Sequence, residues 1–86
     1  MTQINKDRDS VARNIIQKFA DRLRLPAEEV PEEHKLQDDL GADEVDILTV
    51  AMAIDQDYGI QLDTNALDQV VTIRDLVELT MATIGS

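Results

Sequence analysis

Apolar residues return every three to four positions in three stretches of this chain, the signature of amphipathic helices. In the first, residues 9–24, Val11, Ile15, Phe19 and Leu23 recur at four-residue steps beside Ala12, Ile16 and Ala20. Arg13, Lys18, Asp21, Arg22 and Arg24 fill the other face, so one buried stripe is expected. In the second, residues 44–58, Ile47, Ala51, Ile54 and Tyr58 form a stripe at spacings of three and four. Val45 and Met52 lie on a second stripe with Thr49 between them. In the third, residues 73–84, the stripe is Ile73, Leu76, Val77, Thr80, Met81 and Ile84. No segment alternates with period two for long enough to predict a strand. The pattern predicts an all-α bundle of three longer helices and one short one.

The punctuation between these stretches agrees. Asp7, Asp9 and Ser10 are all candidate caps for the first helix, and the sequence does not choose among them. Leu25-Pro26 ends it, because a residue before proline is steered away from the α region. Residues 25–42 form a long first loop, in which Ala27–Val30 is short enough for one helical turn and Leu36 and Leu40 are apolar anchors. Loops of this length are functional or pinned by such anchors. Gly41 supplies backbone freedom and Asp43 an N-cap for the second helix. Gly59 is placed to end it. Residues 60–71 hold the short helix, capped by Asp63 or Thr64 and buried by Ile60, Leu62, Leu67 and Val70. Thr72 with Asp75 resembles a capping box for the last helix, and Gly85-Ser86 is read as a frayed end.

At 86 residues the chain is one domain, residues 1–86, with a small core. Its charge is −10, which argues against nucleic acid as a partner. The imbalance is one-sided. Residues 1–35 carry seven Lys/Arg and seven acids, whereas residues 36–86 carry Arg74 alone against eleven acids. An acidic surface favours solubility, but segregation of this kind also suits the attraction of basic partner proteins. There is no cysteine, hence no disulfide framework or thiolate site. Residues Met1–Arg8 show no apolar leader, and no run is long enough to span a membrane. A cytoplasmic monomer is the expectation.

Catalytic constellations are absent. His34 is the lone histidine, read as a solvated loop residue, and Ser10 and Ser86 lie near the ends. No carboxylate is predicted to sit in an apolar pocket, so acid–base chemistry lacks support. Asp55-Gln-Asp57-Tyr-Gly59 begins like a calcium loop, but its glycine falls at position 5 and Ala66 at position 12. An EF-hand needs glycine at 6 and glutamate at 12. No metal site is assigned.

The segment Leu36-Gln-Asp-Asp-Leu40-Gly41-Ala42-Asp43-Glu44-Val45-Asp46, followed by an acidic amphipathic helix, resembles the acyl carrier protein family. So do Leu25–Val30, Asp55–Leu62 and Thr72–Leu76, in register over about residues 8–84. The resemblance implies a four-helix bundle of carrier type with a short third helix. It also implies a 4'-phosphopantetheine arm on a serine in an Asp-Ser-Leu-like triplet at the start of helix two, where the serine hydroxyl attacks the phosphorus of coenzyme A. Here the triplet is Asp43-Glu44-Val45. Glu44 stands where the serine would, and a carboxylate does not form that stable phosphodiester. Thr49 is more than one turn away. No bound cofactor is therefore expected. At a helix start a negative charge gains roughly 0.3–1 kcal/mol, so the fold should tolerate Glu44.

The resemblance implies a non-enzymatic protein that docks with or regulates fatty-acid or polyketide-type synthesis enzymes through its second helix. Asp43, Asp46, Asp55 and Asp57 would supply charge, and Val45 and Met52 apolar contact. Candidate partners are basic patches of synthases, acyltransferases and the phosphopantetheinyl transferase. The alternative is a genuine carrier of lipid or secondary-metabolite synthesis whose serine is replaced by Glu44, by engineering or by divergence.

Overall fold

In a computed structural model, residues 5–85 are described, and their regular elements are all helical, with one isolated antiparallel bridge between Lys35 and Thr72. Helix α1 spans Arg8–Leu23, α2 Glu44–Tyr58, α3 Thr64–Leu67 and α4 Ile73–Ile84. A 3₁₀ turn, Ala27–Glu29, interrupts the first loop. The all-α bundle with a short third helix is thus the observed architecture. Ser86 lies outside the described residues, as do residues 1–4 of the leader reading.

Each helix starts where local chemistry supplies acceptors for its free N–H groups. Asp7 is the cap of α1, its carboxylate accepting the Ser10 N–H at 3.1 Å. Helices α2 and α4 both begin with complete capping boxes, Asp43 with Asp46 and Thr72 with Asp75. Asp63 caps α3 through the Asn65 N–H. Helix α1 ends one residue earlier than the periodicity implies. Arg24 takes a left-handed conformation, φ 59°, and the Leu25 N–H reaches back to the Ala20 carbonyl at 2.9 Å. This 6→1 bond is the Schellman stop, which turns the half-buried Leu25 onto the core. Gly59, φ 63°, ends α2 the same way, with Ile60 N–H on the Asp55 carbonyl.

The predicted stripes form the core. Val11, Ile15, Phe19, Ile54, Ile73, Leu76 and Val77 are fully inaccessible. The long loop is pinned. Val30 and Leu36 are buried, joined by Ala42, while Leu40 is half-buried. Leu36 N–H donates to the Val71 carbonyl and Ala42 N–H to the Leu36 carbonyl, both at 2.8 Å. Gly41, φ 71°, makes the turn that delivers Ala42 inward and leaves Asp43 at the mouth of α2. His34 differs from its expected solvated state. It is half-buried with Nδ1 unpartnered, because its carbonyl accepts the Ile73 N–H and holds the loop against α4.

Two cations of α1 fasten α2. Arg22 Nε donates to Asp46 at 2.7 Å in the first turn of α2, and Lys18 pairs with Asp57 in the last. Asn14 adds hydrogen bonds to Asp57 and to the oxygen of buried Tyr58. Asp46 and Asp57 are eleven steps, about 16 Å, apart along the helix, while Lys18 and Arg22 are one turn apart, so the two ion pairs hold opposite ends of α2. The cations of the first half of the chain thereby neutralise part of the acidic second half.

Candidate functional site

The start of α2 lies at the edge of a groove. The groove has a volume of about 270 Å³ and is lined by Glu44, Ile47 and Leu48 of α2, Gln37 of the loop, and Leu67, Asp68 and Val70 around α3. Ile47 and Leu67 form its buried floor, and Glu44 and Asp68 stand exposed at its rim. A carboxylate bordering a hollow with a mixed polar and apolar lining is a feature the sequence does not predict, since the hollow is built from three separate segments.

The acids of α2 differ in what they do for the fold. Asp43 and Asp46 cap the helix reciprocally, at 2.9 and 3.1 Å. Asp55 accepts the Leu62 N–H at 2.9 Å and anchors the turn after α2. Asp57 is held by Lys18 and Asn14. Only the Glu44 side chain, among the described acids of α2, has no hydrogen bond or ion pair.

These contacts set the acidities. The Asp43 backbone N–H, then Arg22, hold the Asp46 carboxyl below its ordinary value. Burial pushes Asp57 up, but the hydrogen bonds from Lys18 and Asn14 outweigh it and the net shift is downward. Backbone N–H groups of Thr72 and Val71 lower Asp75. Each of the three carboxylates is therefore firmly charged near neutral pH.

The apolar positions fall as the second stripe implies. Val45 is 61% exposed and Met52 64%. Leu48, 39% exposed, joins them, and its spacing of three from Val45 and four from Met52 was the available signal. It is obscured in sequence by the continuous apolar run around it. Gln37, Asp68 and Val70 carry no local pattern that would mark them, because only the folded loop and α3 bring them to Glu44.

Thr49 occupies a different face. It lines a shallow, largely apolar depression between α1 and α2, with Val50, Ala53, Lys18, Asp21 and Arg22. Its hydroxyl donates to the Val45 carbonyl at 2.7 Å. His34 is not among the residues of the Glu44 groove. Among the described residues no three His, Asp or Glu side chains are grouped to hold a metal ion, and no helix is long and apolar enough to cross a membrane.

A family profile described as "phosphopantetheine attachment site" matches residues 13–80. The chain is 32% identical over 75 residues to the acyl carrier protein of Saccharopolyspora erythraea, covering 87% of this chain and 79% of that protein. It is 32% identical over 68 residues to the acyl carrier protein AcpP of Rhizobium meliloti, covering 79% of this chain and 87% of that one. In fold it is similar to the solution structure of oxytetracycline acyl carrier protein, with a TM-score of 0.72 and 24% identity over 99% of this chain and 86% of the other.

Proposed function

The chain belongs to the acyl carrier protein family, whose members are non-catalytic and use a 4'-phosphopantetheine arm, and from that premise we propose that it keeps the family's docking surface without carrying cargo. One observation carries this reading: the α2 start presents Glu44 on the groove, and no hydroxyl replaces it there. An arm attached by phosphodiester needs a nucleophilic hydroxyl. Glu44 has none, and the Thr49 hydroxyl lies on the α1–α2 face, occupied by the Val45 carbonyl. The residues present do not fit the group, so no transfer step runs through it.

What remains is a recognition face. Val45, Leu48 and Met52 expose an apolar strip on α2, with Asp43, Glu44 and Asp55 on the same helix and Asp46 and Asp57 engaged by cations of α1. Such a strip beside charged groups has the anatomy of a docking patch. The partners we propose are the basic surfaces of carrier-dependent enzymes: synthases, acyltransferases and the phosphopantetheinyl transferase. The protein would act in the cytoplasm as a monomer that competes with, or regulates, true carriers on those enzymes.

Intact mass after incubation with a phosphopantetheinyl transferase and coenzyme A tests the first part. The unaltered chain should gain no mass, and Glu44→Ser should gain that of one phosphopantetheine. Modification of the unaltered chain would overturn the reading. Docking should also weaken as salt rises, because exposed charges are screened within about 10 Å at 0.1 M. Affinity that ignores salt would remove the electrostatic part of the proposal.

A further inference from the structure

We infer that the groove beside Glu44 receives a lysine side chain from the partner protein. The inference rests on the docking reading above and assigns an occupant to the groove beside Glu44.

The hollow asks for two chemistries at once. Ile47, Leu48, Leu67 and Val70 offer an apolar lining, while Glu44 and Asp68 place carboxylates on two different segments of the rim. Neither carboxylate is ion-paired within the described fold. Burying apolar surface gains about 25 cal/mol per Å², so an alkyl stem is drawn to the lining. A second carboxylate or a phosphate would meet like charge at the rim, in a chain already at −10. A cation on a methylene stem satisfies both demands.

Size and geometry narrow the choice. Pockets for drug-sized ligands occupy roughly 300–1,000 Å³, and this one, at about 270 Å³, lies just below that range with room for one side chain. Arginine's planar fork matches one carboxylate bidentately, whereas lysine ends in a compact ammonium with three rotatable donors. Glu44 and Asp68 come from separate segments, an arrangement that rotatable donors suit better than a rigid fork. The groove also runs on into a second hollow of about 180 Å³ that shares Gln37, Asp68 and Val70 and adds Asp38 and Lys35. Lys35 is the cation on that side, and it is outnumbered by Asp38, Asp68 and Glu44. Charge complementarity thus favours an incoming cation.

The experiment uses the intact chain and n-pentylammonium as the probe for a lysine side chain, followed by backbone amide NMR. Saturable shifts are expected at Ile47, Leu48, Leu67 and Val70. 1-Pentanol and pentanoate should bind at least about tenfold more weakly, as should the ammonium to a Glu44→Gln/Asp68→Asn variant. Both replaced groups are exposed, and an unchanged helical circular dichroism spectrum confirms that the variant folds. Equal binding of pentanoate, or shifts confined to Val45 and Met52, would overturn the lysine assignment. Salt-sensitive docking to a partner with no groove shift would overturn it too, while leaving the docking reading intact.

Discussion

Asp43 and Glu44 are neighbours with opposite duties. Asp43 is fixed by its own helix, its carboxylate accepting the Asp46 N–H. Removing such a cap exposes helix N–H groups, so Asp43→Ala should cost about 1 kcal/mol in chemical unfolding. The Glu44 side chain has no hydrogen bond or ion pair within the described fold, and Glu44→Ser should leave stability within about 0.5 kcal/mol while it restores modification. The two αL residues behave differently from one another. Gly59→Ala should lose about 1 kcal/mol, since a Cβ is disfavoured at φ 63°. Arg24 already bears that strain, so Arg24→Gly should be close to neutral, the relieved strain being offset by the entropy of the freer unfolded chain. Thermal melts of the pair would separate the two cases.

At the scale of elements, the pairing of α1 with α2 is electrostatic at its edges and apolar within. Phe19 and Ile54 are fully inaccessible, and Ile54→Ala should cost about 2–5 kcal/mol by leaving a cavity. Val45→Ser and Met52→Ser on the outer face should cost little stability and reduce partner affinity, by calorimetric titration. The capping box of α4 gives a pH signature. Asp75 titrates lower in the folded chain than its ordinary 3.8, so its stabilisation is complete above that value and is lost as pH falls through the folded value. Asp75→Asn should therefore be less stable than the parent at neutral pH, and the gap between their melting temperatures should close in acid.

Across the whole molecule, charge has two destinations. Arg22 and Lys18 bring opposite charge onto α2 from the other half of the chain, and the acids they leave unmatched include Glu44 and Asp68 at the groove. Losing Lys18 should destabilise only modestly, because partly exposed ion pairs contribute about 0–1 kcal/mol. It should nevertheless strengthen docking to a basic partner by freeing Asp57. Surface plasmon resonance with Lys18→Gln against the parent, at two salt concentrations, reads this directly.

The sequence by itself determined the helices, their buried stripes and the caps of α2 and α4, because periodicity, N-cap chemistry and helix-stopping residues act over a few neighbouring positions; between the candidate caps of α1 and α3 only the structure chose, settling on Asp7 and Asp63. The sequence also determined that Glu44 lacks a hydroxyl, which is a property of one side chain. Tertiary structure decided what surrounds that side chain. Whether Asp46 and Asp57 face a partner or an internal cation depends on how α1 crosses α2. Whether Glu44 borders flat surface or a groove depends on where the pinned loop sets Gln37 and where the short α3 sets Leu67 and Asp68. Gln37 is seven positions before Glu44 and Leu67 twenty-three after it, and only packing of the shared core fixes the distances between them.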